Sequence, residues 1–159
     1  MIIFLEEHKQ ILRSLLDCKV DFILIGGYAV NYHGYNRPTG DMDILLRPNN
    51  ANKEKLLLMF MQEGFVEESL KNVRDLDFTK AAVFHIGKPP KRIDFLTHIS
   101  RVDFDEAWKE KQLLPMGEYS VPVLHLHHLI LAKMGTGRER DKGDIDELQK
   151  INKLKKDSE

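Results

Sequence analysis

The stretch from Val20 to Leu46 constrains the fold more than any other part of the chain. Val20-Asp21-Phe22-Ile23-Leu24-Ile25 is an apolar, partly β-branched run that predicts a strand, and Gly26-Gly27 stops it. A short helix from about Tyr28 to His33 follows, with Gly34 in a capping role. Asn36-Arg37-Pro38-Thr39-Gly40 has the chemistry of a loop, and Asp41 to Leu46 reads as a second strand closed by Arg47-Pro48. Strand periodicity places Asp41 and Asp43 on one face and Met42 on the other. Two adjacent carboxylates held by the apolar run Ile44-Leu45-Leu46 repel one another by about 4 kcal/mol at ~4 Å and an effective dielectric of ~20. Such a pair calls for a cation between its members.

The flanking sequence is consistent with a single α+β domain spanning residues 1–159. Apolar residues at three-to-four spacing predict a helix over 2–16, and a second helix spans about 52–63 up to Gly64. Residues 65–96 read as two or three strands, of which Ala81–Ile86 and Arg92–Leu96 flank the turn Gly87-Lys88-Pro89-Pro90 as a hairpin. A short helix around 104–111 and a strand over 119–124 precede a helical tail of about 125–155, broken at Gly135-Thr136-Gly137. The expected architecture is a mixed β-sheet with flanking helices and a C-terminal helical pair.

Composition excludes several functions. Lys and Arg total 24 against 25 Asp and Glu, so no net field draws the chain to nucleic acid or to an anionic membrane. Cys18 is the one cysteine, which excludes an intrachain disulfide framework and a multi-cysteine zinc site and fits a reducing compartment. The opening MIIFLEEHKQ lacks the basic start and long apolar run of a secretory signal, and no run approaches the roughly 18 apolar residues of a membrane span. A cytoplasmic protein with no membrane partner is expected. His125-x-His127-His128 scatters its rings at a helix start and is a weak candidate for zinc.

Asp94 stands between Ile93 and Phe95 in an otherwise apolar strand, where an unpaired acid is costly. If its strand neighbours the Asp41–Leu46 strand, Asp41, Asp43 and Asp94 share a face and form an oxygen-rich site for hard cations. The alternative is a structural ion pair of Asp94 with Arg92 or Arg37. Gly26-Gly27 admits two readings as well. The glycines let an anion approach the backbone at a helix start, or they serve only the packing of a tight strand-to-helix turn.

A strand ending in Gly26-Gly27, a short helix, and then Arg37-Pro38-Thr39-Gly40-Asp41-Met42-Asp43 resembles the nucleotidyltransferase fold of the DNA polymerase beta type. Asp94 stands about where that family has its third carboxylate. The tail Lys133-x4-Arg138-x-Arg140-Asp141-x2-Asp144-x3-Leu148 is similar to small bacterial nucleotidyltransferases of abortive-infection and toxin–antitoxin systems. The resemblance implies a minimal nucleotidyltransferase domain, with its catalytic core at about 20–100, that moves a nucleoside monophosphate from a nucleoside triphosphate to a hydroxyl acceptor. The acceptor would be RNA, such as tRNA, a protein or a small molecule, and the resemblance also implies an antitoxin-like partner protein.

In that reading Asp41, Asp43 and Asp94 are catalytic and hold two Mg²⁺ ions, while Gly26 and Gly27 cradle the phosphates. Arg37 and Thr39 reach a phosphate or brace the loop, and Arg37 has an ion pair as its alternative. Lys133 and Arg138 neutralise the triphosphate, or belong to a helix face laced by ion pairs to Asp141, Asp144 and Asp146. Many transferases of this fold have Gly-Ser where this chain has Gly26-Gly27 and then Tyr28. The competing function is a non-catalytic nucleotide- or partner-binding module that retains the fold.

Overall fold

The computed structural model describes residues 2–158, which form a mixed six-stranded sheet flanked by helices. Chain order runs α1 (Glu6–Asp17), β1 (Phe22–Ile25), α2 (Gly26–Tyr32), β2 (Met42–Leu46), α3 (Asn50–Gln62) and α4 (Glu67–Arg74). It continues with β3 (Val83–Ile86), β4 (Ile93–Leu96), α5 (Phe104–Glu110), β5 (Gln112–Met116), β6 (Tyr119–Val123), α6 (Leu126–Met134) and α7 (Glu139–Asp157). The strands lie in the order β3-β4-β2-β1-β6-β5. β1 runs antiparallel to β2 and parallel to β6, and β2 runs parallel to β4. The two outer pairs, β3 with β4 and β5 with β6, are antiparallel.

Strand alternation divides the sheet into two unlike faces. One carries Phe22, Leu24, Met42, Ile44, Ile93 and Phe95, all buried in the main core. Phe60 of α3 meets Phe95 edge-on at 5.6 Å, and Phe84 stacks on Phe95 at 5.0 Å, so aromatic packing fixes β3, β4 and α3 together. The opposite face carries Ile25, Asp43, Asp94 and Leu96, and residues of α6 lie over it.

Four elements differ from the sequence-based expectation, the first being α1, which starts at Glu6 after an extended Leu5 rather than near residue 2. α4 lies in the segment read as strands; it buries Leu70 and Val73 at helical spacing, but over only eight residues with two apolar positions. β5 was not expected, and as an edge strand it alternates half-buried and exposed residues and tolerates Pro115. α2 starts at Gly26 rather than Tyr28, directly after the extended Ile25, because Gly26 takes a φ of +67° that turns strand into helix without a connecting loop. Gly34, at φ +108°, follows the helix end as expected. No described helix is long and apolar enough to cross a membrane.

Candidate active site

Parallel pairing of β2 with β4 sets Asp43 directly opposite Asp94, and Ile25 of β1 opposite Asp43 from the other side. The two carboxylates therefore meet on one face, flanked by apolar strand residues. Burial pushes the Asp43 carboxyl up from 3.8 to about 7, reinforced by the neighbouring charges of Asp94 and Asp41 and only partly offset by Lys133. Asp41 precedes β2, and its side chain lines the same polar cavity as Asp43 and Asp94. Arg92, two residues before Asp94 on the same strand face, holds Asp94 at 2.9 Å, so the ion-pair alternative for Asp94 is the contact seen.

The paired glycines owe their presence to the same crowding. A side chain at Gly26 would collide with the Asp43 carboxylate, and one at Gly27 with the Thr39 side chain. Thr39 thus rests against the start of α2, and Asn31 of that helix donates to the carbonyls of Tyr35 and Arg37 at 3.0 and 2.9 Å. Asn31 was not singled out from sequence; an amide within reach of a turn-rich loop was the available sign. Tyr28 points away from the site, and its hydroxyl bonds Nδ1 of the buried His8 at 2.8 Å. The His8 Nε2–H donates to the carbonyl of Lys91, so His8 ties α1 to the segment that leads into β4.

Gly26→Ala is expected to destabilise the fold by at least about 1–2 kcal/mol from the left-handed backbone alone, and to displace Asp43. Gly40→Ala, where an added methyl meets nothing within 4 Å, is the control expected to melt close to wild type. Equal thermal melts for the two variants would contradict the close approach of Asp43 to Gly26.

Below the Asp41 loop, charges from the tail helices form a buried network. Arg37 makes a two-pronged pair with Asp144 of α7 at 2.7 and 2.9 Å. Lys133 of α6, only 9% exposed, donates to both Asp141 and Asp144 at 2.9 Å. Arg138 and Thr136 complete the shell of Asp141 at 2.8 and 2.6 Å. Burial alone would raise the Asp141 carboxyl, yet the Thr136, Lys133 and Arg138 bonds outweigh it and hold it at about 2. Asp144 is likewise held below the usual range, with the Arg37 and Lys133 bonds overcoming its burial. For Arg37, Lys133 and Arg138 the contacts seen are therefore the ion-pair alternatives. All three also line the polar cavity, together with Gly26, Gly27 and Thr39. Arg140 lines it too and makes no ion pair among the described residues.

The polar cavity, about 270 Å³, thus has carboxylates on one side and arginines on the other. Asp41, Asp43 and Asp94 offer hard oxygen donors, and a carboxyl held near 7 by burial and its acidic neighbours is one that a divalent cation would ionise, so the donor chemistry fits Mg²⁺. No group of three or more acids, histidines or cysteines among the described residues is already arranged as a metal cage. Asp41, Asp43 and Asp94 nonetheless line one cavity, with Arg92 holding Asp94 and Asp41 placed just ahead of the strand. The His125, His127 and His128 rings likewise form no such cage.

No protein-family model matches the sequence, and no curated protein matches it either. Among solved structures, the crystal structure of the lincosamide antibiotic adenylyltransferase LnuA with lincomycin bound superposes with a TM-score of 0.54 at 16% identity. The match covers 94% of this chain and 98% of that one. At this identity the likeness speaks to architecture, and with the mixed sheet and C-terminal helical pair it shows that the chain has a nucleotidyltransferase-type α+β fold.

Proposed function

We propose that this protein is a nucleotidyltransferase that moves a nucleoside monophosphate from a nucleoside triphosphate to a hydroxyl acceptor. The observation that carries this reading is the Asp43–Asp94 pair, brought face to face by parallel strands at the edge of an arginine-lined cavity. A structural role alone gives no reason to keep two acids together in a partly apolar setting, since apolar residues of similar size would be at least as stable there. LnuA, which shares the architecture, is an adenylyltransferase, and this supports the same class of chemistry here.

Asp41, Asp43 and Asp94 are the residues that would hold Mg²⁺, which when bound supplies Lewis-acid stabilisation of the triphosphate charge. Arg140, with its charge uncommitted, faces the polar cavity and would bind phosphate oxygens, while Arg138 stays paired with Asp141 beside it. Arg37 and Lys133, clamped by Asp144, would orient the Asp41 loop rather than contact phosphate first. Asp94 would take the proton of the attacking hydroxyl, with Arg92 holding its carboxyl in place at 2.9 Å. Nucleotidyl transfer depends chiefly on positioning and charge neutralisation, and a network that fixes the loop to the tail supplies the first of these.

The resemblance to abortive-infection and toxin–antitoxin enzymes makes RNA and protein acceptors, and an antitoxin partner, part of the same reading. Incubation with Mg²⁺ and each α-labelled nucleoside triphosphate, together with tRNA, protein or small hydroxylated acceptors, is expected to give label transfer with release of pyrophosphate. Transfer should vanish in Asp43→Ala. Binding of Mg²⁺ and triphosphate without any transfer would favour the non-catalytic module, and no binding would refute both.

A further inference from the structure

A second, larger cavity of about 550 Å³ adjoins the polar one and shares Gly26, Asp43, Asp94, Lys133, Arg138 and Asp141 with it. Away from that junction the walls turn largely apolar, with His98 and Thr136 as polar exceptions. Leu96 lies two residues beyond Asp94 on β4, and Val83 is its register partner on β3, so both continue the face that carries the carboxylates. Leu129 and Ala132, one helical step apart on α6, stand opposite, with Ile99 and Leu124 alongside. Val83 remains 65% exposed at the sheet edge.

A fixed turn contributes part of the wall. Ile99 bridges to Val102 across Arg101, which takes a φ of +63°, and Ser100 sits so close to Gly135 that a side chain at 135 would overlap it. The result is a slot with carboxylates at one end and largely apolar walls. Its volume lies within the range of small-molecule sites.

We propose that this slot receives the acceptor, and that the acceptor is a small hydroxylated molecule with an apolar flank rather than RNA. The proposal rests on the nucleotidyl-transfer reading above and names its substrate class. An RNA terminus would bring phosphates that need free cations, whereas the slot's arginines, Arg92 and Arg138, are already paired with Asp94 and Asp141. The formal charge of −1 supplies no compensating field.

With the triphosphate in the polar cavity, the acceptor's hydroxyl lies beside Asp94. Its oxygen forms a bond to the α-phosphorus, and the bond from that phosphorus to the bridging oxygen breaks. Pyrophosphate leaves with the electron pair, and the hydroxyl proton passes to an Asp94 carboxylate oxygen. Ile99, Leu129 and Ala132 would set which apolar flank fits.

The test uses methyl-resolved NMR on wild type, Ala132→Phe and the milder Ala132→Leu. Ala132 is half-buried on a helix, and larger side chains there extend into the slot. The probes are 4-nitrophenyl β-D-glucopyranoside, Mg²⁺–ATP, Mg²⁺–tripolyphosphate and deacylated tRNA. In wild type the glycoside is expected to bind at millimolar concentration, to shift the Ile99 and Leu129 methyls, and to accept AMP from ATP by mass spectrometry. Ala132→Leu should weaken glycoside binding several-fold and Ala132→Phe at least tenfold. The ratio of the ATP and tripolyphosphate Kd values should hold in both variants.

Mg²⁺–ATP binding with no glycoside shift in wild type overturns the proposal alone. So does a tenfold rise in that Kd ratio in Ala132→Phe, which would make the slot a nucleobase site, or equal labelling of tRNA by all three proteins. Glycoside binding without any Mg²⁺–ATP binding overturns the acceptor role together with the nucleotidyl-transfer reading.

Discussion

Replacing Asp43 by asparagine is expected to lower nucleotidyl transfer at least ~10³-fold, a loss of about 4 kcal/mol of transition-state stabilisation, while making the metal-free protein more stable. Burial and the Asp94 and Asp41 charges raise this carboxyl from 3.8 to about 7. Its folded-state value exceeds its unfolded one, so between those limits the folded protein binds the extra proton. Wild-type stability therefore falls as pH rises from about 4 to about 7 and stays low above that. Three pKa units correspond to ~4 kcal/mol, and asparagine, with no charge to bury, should recover about 2–4 kcal/mol of it at pH 8. In a domain of this size that is a melting temperature higher by roughly 5–10 °C.

At pH 4 the gain should disappear, because wild-type Asp43 is then protonated as well. Millimolar Mg²⁺ should raise the melting temperature of wild type and leave Asp43→Asn almost unmoved. Coincident melts at pH 8 without metal would show that Asp43 is not under this electrostatic load.

Lys133→Met carries the second large effect, with the opposite sign. Lys133 is buried between Asp141 and Asp144, which are 3% and 2% exposed, and removing its charge leaves two desolvated carboxylates with only their arginine and threonine partners. Breaking a buried pair in this way costs about 3 kcal/mol or more, so a fall of roughly 6–12 °C is expected at pH 7. Both carboxyls are held below their ordinary value, Asp141 at about 2. Their contribution is full above about pH 4 and is lost as pH falls towards 2, so the gap between variant and wild type should narrow over that window. A constant gap from pH 7 to pH 2 would mean that Lys133 stabilises by packing rather than by pairing. Because Arg37 shares Asp144 with Lys133, the variant should also loosen the loop that presents Thr39 and Asp41.

Asp43 and Asp94 were legible because acids at alternate positions of apolar strands break the rule that governs such strands, and β-periodicity fixes which face they take. Their mutual contact depends on the parallel register of β2 with β4, a long-range pairing that leaves no local mark. Arg37, Lys133 and Arg138 were visible as candidate charges, but whether they meet phosphate or carboxylate depends on where α7 packs against the Asp41 loop. Gly26 and Gly27 were legible as a tight turn; that Asp43 and Thr39 fill the space beside them emerges only in three dimensions. α4 and β5 stayed hidden because each is short and buries few residues.

Calorimetric titration with α,β-methylene-ATP, in the presence and absence of Mg²⁺, tests the central claim most directly, because the analogue binds without turning over. Wild type is predicted to bind it saturably only when Mg²⁺ is present, and Asp43→Asn and Asp94→Asn are each predicted to lose most of that binding. Equal binding with and without Mg²⁺, affinity unchanged in both variants, or no binding by wild type would contradict the assignment of the Asp43–Asp94 pair as a cation-dependent triphosphate site.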